Sequence, residues 1–138
     1  MQNYRLIEHT ADMGLSARAD SREELFSACA LALREMLVGA SPVRAGKTRR
    51  LTVCGMDDGE LLVNWLNELL YLFESEGLLL AEVKSLMFQK EELIAEILWE
   101  AFDPIRHSLE REVKMVTYHQ LQVGAGERGW KARVYVDL

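Results

Sequence analysis

The sequence is short of the features that most readily declare a function. It has two cysteines, Cys29 and Cys54. They lie too far apart to form a C-x-x-C pair, which excludes a dithiol redox motif of that kind. Both sit inside apolar patterns, so the expectation is reduced core residues of a cytoplasmic protein. No apolar run approaches the ~20 residues of a membrane-spanning helix. The opening Met1-Gln2-Asn3-Tyr4-Arg5 has no basic-then-apolar leader pattern. These two absences predict a protein that is neither exported nor membrane-bound. Positive charge is also scarce: 16 Lys and Arg stand against 22 Asp and Glu, for a net charge of -6. A field of that sign repels phosphates and disfavours tight, autonomous nucleic-acid binding. One basic cluster (Arg44, Lys47, Arg49 and Arg50) reads as a solvated loop and strand edge.

Familiar catalytic signatures are missing too. There is no G-x-x-x-x-G-K-S/T loop, no G-x-G-x-x-G that opens a helix, no G-x-S-x-G elbow and no H-E-x-x-H helix. Gly124 to Gly129 is glycine-rich but lies between two strands rather than before a helix, so it reads as a hairpin turn. The three histidines show no metal-ligand spacing. His9 belongs to a first strand whose faces cannot be oriented. His119 falls on the apolar side of its strand and is expected in the core. His107 lies in the loop Asp103-Pro104-Ile105-Arg106-His107, where a partner or accessory role stays open.

What is present is an ordinary core-forming composition, with 49% hydrophobic and 28% charged residues in 138. That length predicts one domain, residues 1–138, able to hold a core without staples. Tyr4 to His9 and Leu15 to Ala19 read as strands joined by a turn containing Asp12 and Gly14. Ser21 and Glu24 form a capping-box pattern that opens a helix reaching about Val38, stopped by Gly39 and Pro42. Thr48 to Met56 is a third strand. Asp57 and Glu60 cap a second helix, which Gly77 ends. Its apolar surface is very wide (Leu61, Leu62, Trp65, Leu66, Leu69, Leu70, Leu72, Phe73), which predicts cover from more than one side. The remainder reads as strands. Leu93, Ala95, Ile97, Trp99 and Ala101 alternate in one. Val113, Met115, Leu121 and Val123 share a face of the next, opposite Lys114, Tyr118 and Gln120. Trp130, Ala132, Val134 and Val136 face inward in the last. The order β-β-α-β-α-β-β-β-β predicts an α+β domain with two helices packed on mostly antiparallel, sandwich-like sheet.

Carboxylates are the most suggestive polar groups. Asp12 sits in a tight turn, which a plain turn aspartate also explains. Asp137 lies on the polar face of the last strand, and Leu138 carries an α-carboxylate. If the last strand ends beside the first turn, these anions converge. Their repulsion then calls for a hard divalent cation or a basic partner.

Four blocks of sequence carry a resemblance. Glu8-His9-Thr10-Ala11-Asp12-Met13-Gly14, Leu61 to Leu70, Glu112-Val113-Lys114-Met115-Val116-Thr117-Tyr118-His119 and the ending Val136-Asp137-Leu138 together resemble the archease family, in order and across essentially the whole chain. The resemblance implies a small α+β protein that binds a divalent cation (calcium, manganese or magnesium) and assists the GTP-dependent tRNA-splicing RNA ligase. It would promote ligase guanylylation and multiple turnover without being an enzyme itself. RNA would be met only through the ligase, in the cytoplasm. The family's metal ligands match Asp12, Asp137 and the terminal carboxylate of Leu138, and its functional lysine matches Lys114. Asn64 departs from the pattern, since some relatives carry aspartate there. Two other expectations compete: a chaperone-like interaction module, and a stand-alone metal-dependent phosphoester hydrolase with His107 as acid or base.

Overall fold

A computed structural model describes residues 3–8 and 13–138; His9 and Asp12 lie outside the described residues. The described chain runs β1 (Asn3–Glu8), β2 (Met13–Ala19), α1 (Arg22–Val38), β3 (Lys47–Cys54), α2 (Asp58–Glu76), β4 (Leu78–Gln89), β5 (Glu92–Ala101), β6 (Met115–Val116), β7 (Gln122–Gly126) and β8 (Gly129–Asp137). One sheet has the order β1-β2-β8-β6, with β7 also paired to β8; the other is β3-β5-β4. All of these pairings are antiparallel. Each helix packs against strands of both sheets, so the helices form a middle layer, as the wide apolar surface of α2 requires.

That surface is buried along its length: Leu61, Leu62, Trp65, Leu66, Leu69, Leu70 and Leu72 are all inside. Each such side chain contributes about 1.5–3 kcal/mol relative to exposure. Trp65 also crosses between the helices, its Nε1 donating to the Phe26 carbonyl of α1 at 3.0 Å. A buried indole N–H needs that partner, so the bond fixes the ring and the helix spacing together.

The helix ends follow the sequence closely. Ser21 Oγ accepts from Glu24 N at 3.1 Å, and Asp57 Oδ1 accepts from Glu60 N at 2.8 Å. In α2 the returning carboxylate reaches one residue further than a simple capping box, since Glu60 Oε1 accepts from Met56 N. Gly77 closes α2 in the left-handed conformation, φ 67°. In β4 the register slips around Ala81 and Lys84, and Arg34 of α1 donates to the Leu80 and Ala81 carbonyls at the first slip.

The structure corrects three expectations. Cys54 is exposed, whereas Cys29 is buried and burial pushes its thiol up to about 12. The segment expected as one strand over 113–123 is two, β6 and β7, because the chain turns between them. Leu121 N donates to the Tyr118 carbonyl and Gln120 takes a positive φ of 49°. Glutamine is not a residue that advertises that conformation, so the apolar alternation ran unbroken on paper. Met115 and His119, both assigned inward, are exposed, while Val113 and Val116 are buried; Lys114 and Met115 are exposed in succession, so the alternation breaks before the turn is reached. Alternation in β5 and β8 holds for Leu93, Ala95, Ile97, Ala132, Val134 and Val136.

Trp65→Ala is expected to lower stability by about 3–5 kcal/mol, the range for a large aromatic removed from a tight core. Urea unfolding checks this; a loss below about 1 kcal/mol would show that the helices do not depend on the ring.

Candidate functional site

The residues singled out in the sequence gather around β8. Its side chains alternate, with Ala132, Val134 and Val136 buried and Lys131, Arg133 and Asp137 exposed. On one flank Met13 of β2 pairs with Val136, which brings the start of β2 to the end of β8. On the other flank Met115 of β6 pairs with Asp137. The Lys114 N–H donates to the Asp137 carbonyl at 2.8 Å. Lys114 and Asp137 are therefore neighbours, both exposed, at one corner of the sheet, with Leu138 following directly. No described residue forms an ion pair or hydrogen bond with either side chain. Asp12 precedes Met13 in the chain and lies outside the described residues. Among the described residues no three His, Cys, Asp or Glu side chains cluster as a metal site.

A two-residue strand such as β6 cannot hold itself in place, and α2 supplies what it lacks. Asn67 Oδ1 accepts from Val116 N at 2.8 Å, and its Nδ2 donates to the Val116 carbonyl at 3.0 Å. One side chain thereby satisfies both backbone groups on the open edge of β6. Thr117 secures the inner edge, its N and Oγ1 both donating to the Tyr135 carbonyl at 3.0 Å. Asn64 works similarly one turn earlier, donating to the Cys54 carbonyl at 2.8 Å to hold the end of β3. Neither role was read from the sequence. The available signal was asparagine in a helix interior, a weak helix former that needs another reason to be there.

Gly14 makes room for a side chain of the neighbouring strand. It pairs with Tyr135, and a Cβ at Gly14 would lie 2.7 Å from Tyr135 Cδ1 and 2.7 Å from the Val134 carbonyl oxygen. Only glycine lets that ring lie over β2. The His119 ring meets Tyr135 edge-on, with centroids 6.1 Å apart, which places His119 near the same corner rather than in the core. Arg111 links the approach to β6 with the end of β1, donating to Glu8 Oε1 at 2.6 Å and to the Met36 carbonyl at 3.3 Å.

His107 belongs to a different cluster. Its side chain is buried; Nδ1 accepts from Asp103 N at 2.9 Å, which leaves Nε2 to donate to Glu100 at 3.1 Å. Both ring nitrogens are engaged in holding the loop. Glu100 also accepts from the Arg106 guanidinium and from Arg44 N. The Arg106 hydrogen bond is the main cause that holds the Glu100 carboxyl down at about 2, against the opposing effect of burial, with the Arg44 amide and His107 assisting. This is a loop clamp with no access for a substrate.

Two expectations follow. Asn67→Ala strips Val116 of both partners and should cost about 1–3 kcal/mol, the penalty for unsatisfied buried backbone groups. Hydrogen exchange at the Val116 amide should quicken with it, and unchanged protection would remove the clamp assignment. Glu100 is held below its unfolded value near 4.5. Its contribution to stability is therefore complete above that pH and disappears as pH falls toward about 2. The stability gap between wild type and Glu100→Gln should accordingly be full at neutral pH and close across that acid window. A gap that stays constant there contradicts the clamp.

Comparison with known proteins matches this arrangement to relatives. Residues 4–138 match the model of the Archease protein family (MTH1598/TM1083). The chain is 36% identical over 146 residues to the protein archease of Methanosarcina mazei, covering 99% of this chain and 97% of that one. It is 35% identical over 142 residues to that of Pyrococcus furiosus, covering 100% of both. Among solved structures it resembles Methanobacterium thermoautotrophicum protein 1598, with a TM-score of 0.79, 29% identity and 98% of each chain covered. An archease from Thermotoga maritima, described as a possible chaperone, shares the fold with a TM-score of 0.57 and 18% identity over 97% of this chain and 96% of that one. With the family model and full-length relatives in agreement, this chain belongs to the archease family.

Proposed function

We propose that this protein is a metal-binding accessory protein that activates the GTP-dependent tRNA-splicing RNA ligase, working in the cytoplasm and meeting RNA through the ligase. The observation that carries this reading is the corner at the end of β8. There Asp137 and Lys114, matched to the family's functional residues, are joined through a 2.8 Å backbone hydrogen bond and both are exposed.

The ligand set would be Asp12, Asp137 and the carboxyl of Leu138. It contains oxygen donors only, which suits calcium, manganese or magnesium rather than zinc. The described part of the set fits: Asp137 is an exposed carboxylate with no described partner, beside the strand end that Asp12 precedes. A divalent cation held there would supply neutralisation of charge on a transferring phosphate. Lys114 adds a cation of the chain's own for a phosphate or an acidic group of the ligase. Exposed Met115, Tyr118 and Leu138 surround or adjoin the corner in sequence and provide apolar contact for a protein partner. The competing hydrolase reading loses its acid or base, because His107 is buried and both its nitrogens are occupied.

Ligase guanylylation with GTP and manganese, measured with and without this protein, tests the reading. Asp137→Ala should weaken manganese binding by more than the ~10–100-fold of a change outside the direct ligands, and abolish activation. Lys114→Ala should leave stability within about 0.5 kcal/mol, as surface changes do, and also abolish activation. Activation that survives both substitutions would overturn the assignment. A gain in folded ligase with no change in guanylylation rate would instead favour a chaperone-like role.

A further inference from the structure

The net charge of -6 is not spread evenly. The outer face of the β1-β2-β8-β7 sheet carries two rows of side chains that contain no carboxylate. Pairing places Arg5, Ser16, Arg133 and Gln122 in one row, and Arg18, Lys131 and Gly124 in the next. Arg5, Arg18, Lys131 and Arg133 are all exposed, and none of their side chains forms an ion pair or hydrogen bond with a described residue. Arg18 and Lys131 stand directly opposite each other, a like-charge pairing that costs stability unless an anion relieves it. Five cations elsewhere are paired with carboxylates: Arg22 with Asp58, Arg49 with Glu76, Lys84 with Glu96, Arg106 with Glu100 and Arg111 with Glu8.

These four cations and Tyr135 line a depression of about 1040 Å³ together with one carboxylate, Glu8, which is paired with Arg111. At roughly 3.4 Å per residue the two rows lie about 7 Å apart, so the cations form an extended array rather than a socket for one phosphate. A Cβ at Gly124 would meet nothing within 4 Å, which leaves the β7 side of the platform open. Lys131, Arg133, Tyr135 and Asp137 follow one another on the same face of β8, so the array leads toward the corner that holds Asp137.

We propose that this face binds the phosphodiester backbone of a single-stranded polynucleotide and guides its end toward Asp137. Repeated cations along an open strand platform are how charged sheet surfaces follow a single-stranded backbone without reading its sequence. An overall negative charge keeps the binding weak and confined to this face. The inference goes beyond the reading above, in which RNA is met through the ligase, by giving the protein a weak direct contact of its own, and the isolated protein suffices to test it.

A fluorescein-labelled single-stranded RNA dodecamer of uridine, titrated with the intact protein, should show a rise in anisotropy at 50 mM salt. If each of the four cations meets a phosphate, affinity falls with a log–log slope of about -2.8, or about 50-fold between 50 and 200 mM salt. The Arg18→Ala/Arg133→Ala pair should halve that slope, leaving a loss of about 7-fold over the same range. Arg18→Lys/Arg133→Lys should retain the wild-type slope, and Arg50→Ala on β3 should change nothing. No binding at 50 mM salt, or binding that ignores the Arg18 and Arg133 changes, overturns the proposal. So does polyglutamate competing as well as RNA, or a duplex binding more tightly than the single strand; these would assign the face to an acidic protein or to double-stranded nucleic acid.

Discussion

Burial of α2 between two sheets sets the terms for the rest of the molecule. A helix covered on both sides has only a narrow stripe left for polar residues, and here that stripe is put to use. Asn64 takes the last carbonyl of β3, and Asn67 takes both open backbone groups of β6. The same helix that fills the core thus fixes one edge of each sheet. Without Asn67, β6 would be two residues with unpaired edge groups, and the position of Lys114 would depend on the Asp137 carbonyl alone. The hydrophobic effect places the helix, and two amides convert that placement into strand register.

The proposed corner inherits its geometry from this arrangement. β8 lies between β2 and β6, so residues far apart in sequence arrive at one strand end. Gly14 allows Tyr135 to lie over β2, and Arg111 ties the approach to β6 to Glu8 at the end of β1. None of these contacts is chemistry in itself. They hold Asp137 and Lys114 together on a rigid sheet, a firmer support than a loop would give.

Much of this was legible in the sequence because period and caps are local signals. The Ser21 and Asp57 caps, the Gly77 stop, the inward residues of β5 and β8 and the enclosed α2 could all be read directly. The failures came where local pattern and tertiary geometry part. Gln120 takes a left-handed turn that its residue type does not announce, which split a strand, and the alternation breaks earlier still, where Lys114 and Met115 are exposed in succession. Cys54 sits in an apolar-looking run but on the exposed face of β3. His107 looked available in its loop, and only the fold shows it locked between Asp103 and Glu100. Asp137 as a candidate carboxylate and Lys114 as a polar-face residue could be read from alternation, whereas the ligand and functional roles proposed for them came from the family resemblance. Net charge misled in a similar way. It is a sum, and it hid a sheet face whose cations are unpaired among the described residues.

The central claim is that the end of β8, with the start of β2 and the approach to β6, forms one metal-binding corner that acts on a partner. Paramagnetic broadening by manganese in the amide spectrum addresses it most directly. At substoichiometric manganese the account predicts selective loss of the Met13, Lys114, Asp137 and Leu138 signals, abolished by Asp137→Ala, with the Asp103–His107 loop unaffected. Broadening centred on any other surface, or unchanged in the Asp137→Ala protein, would contradict it.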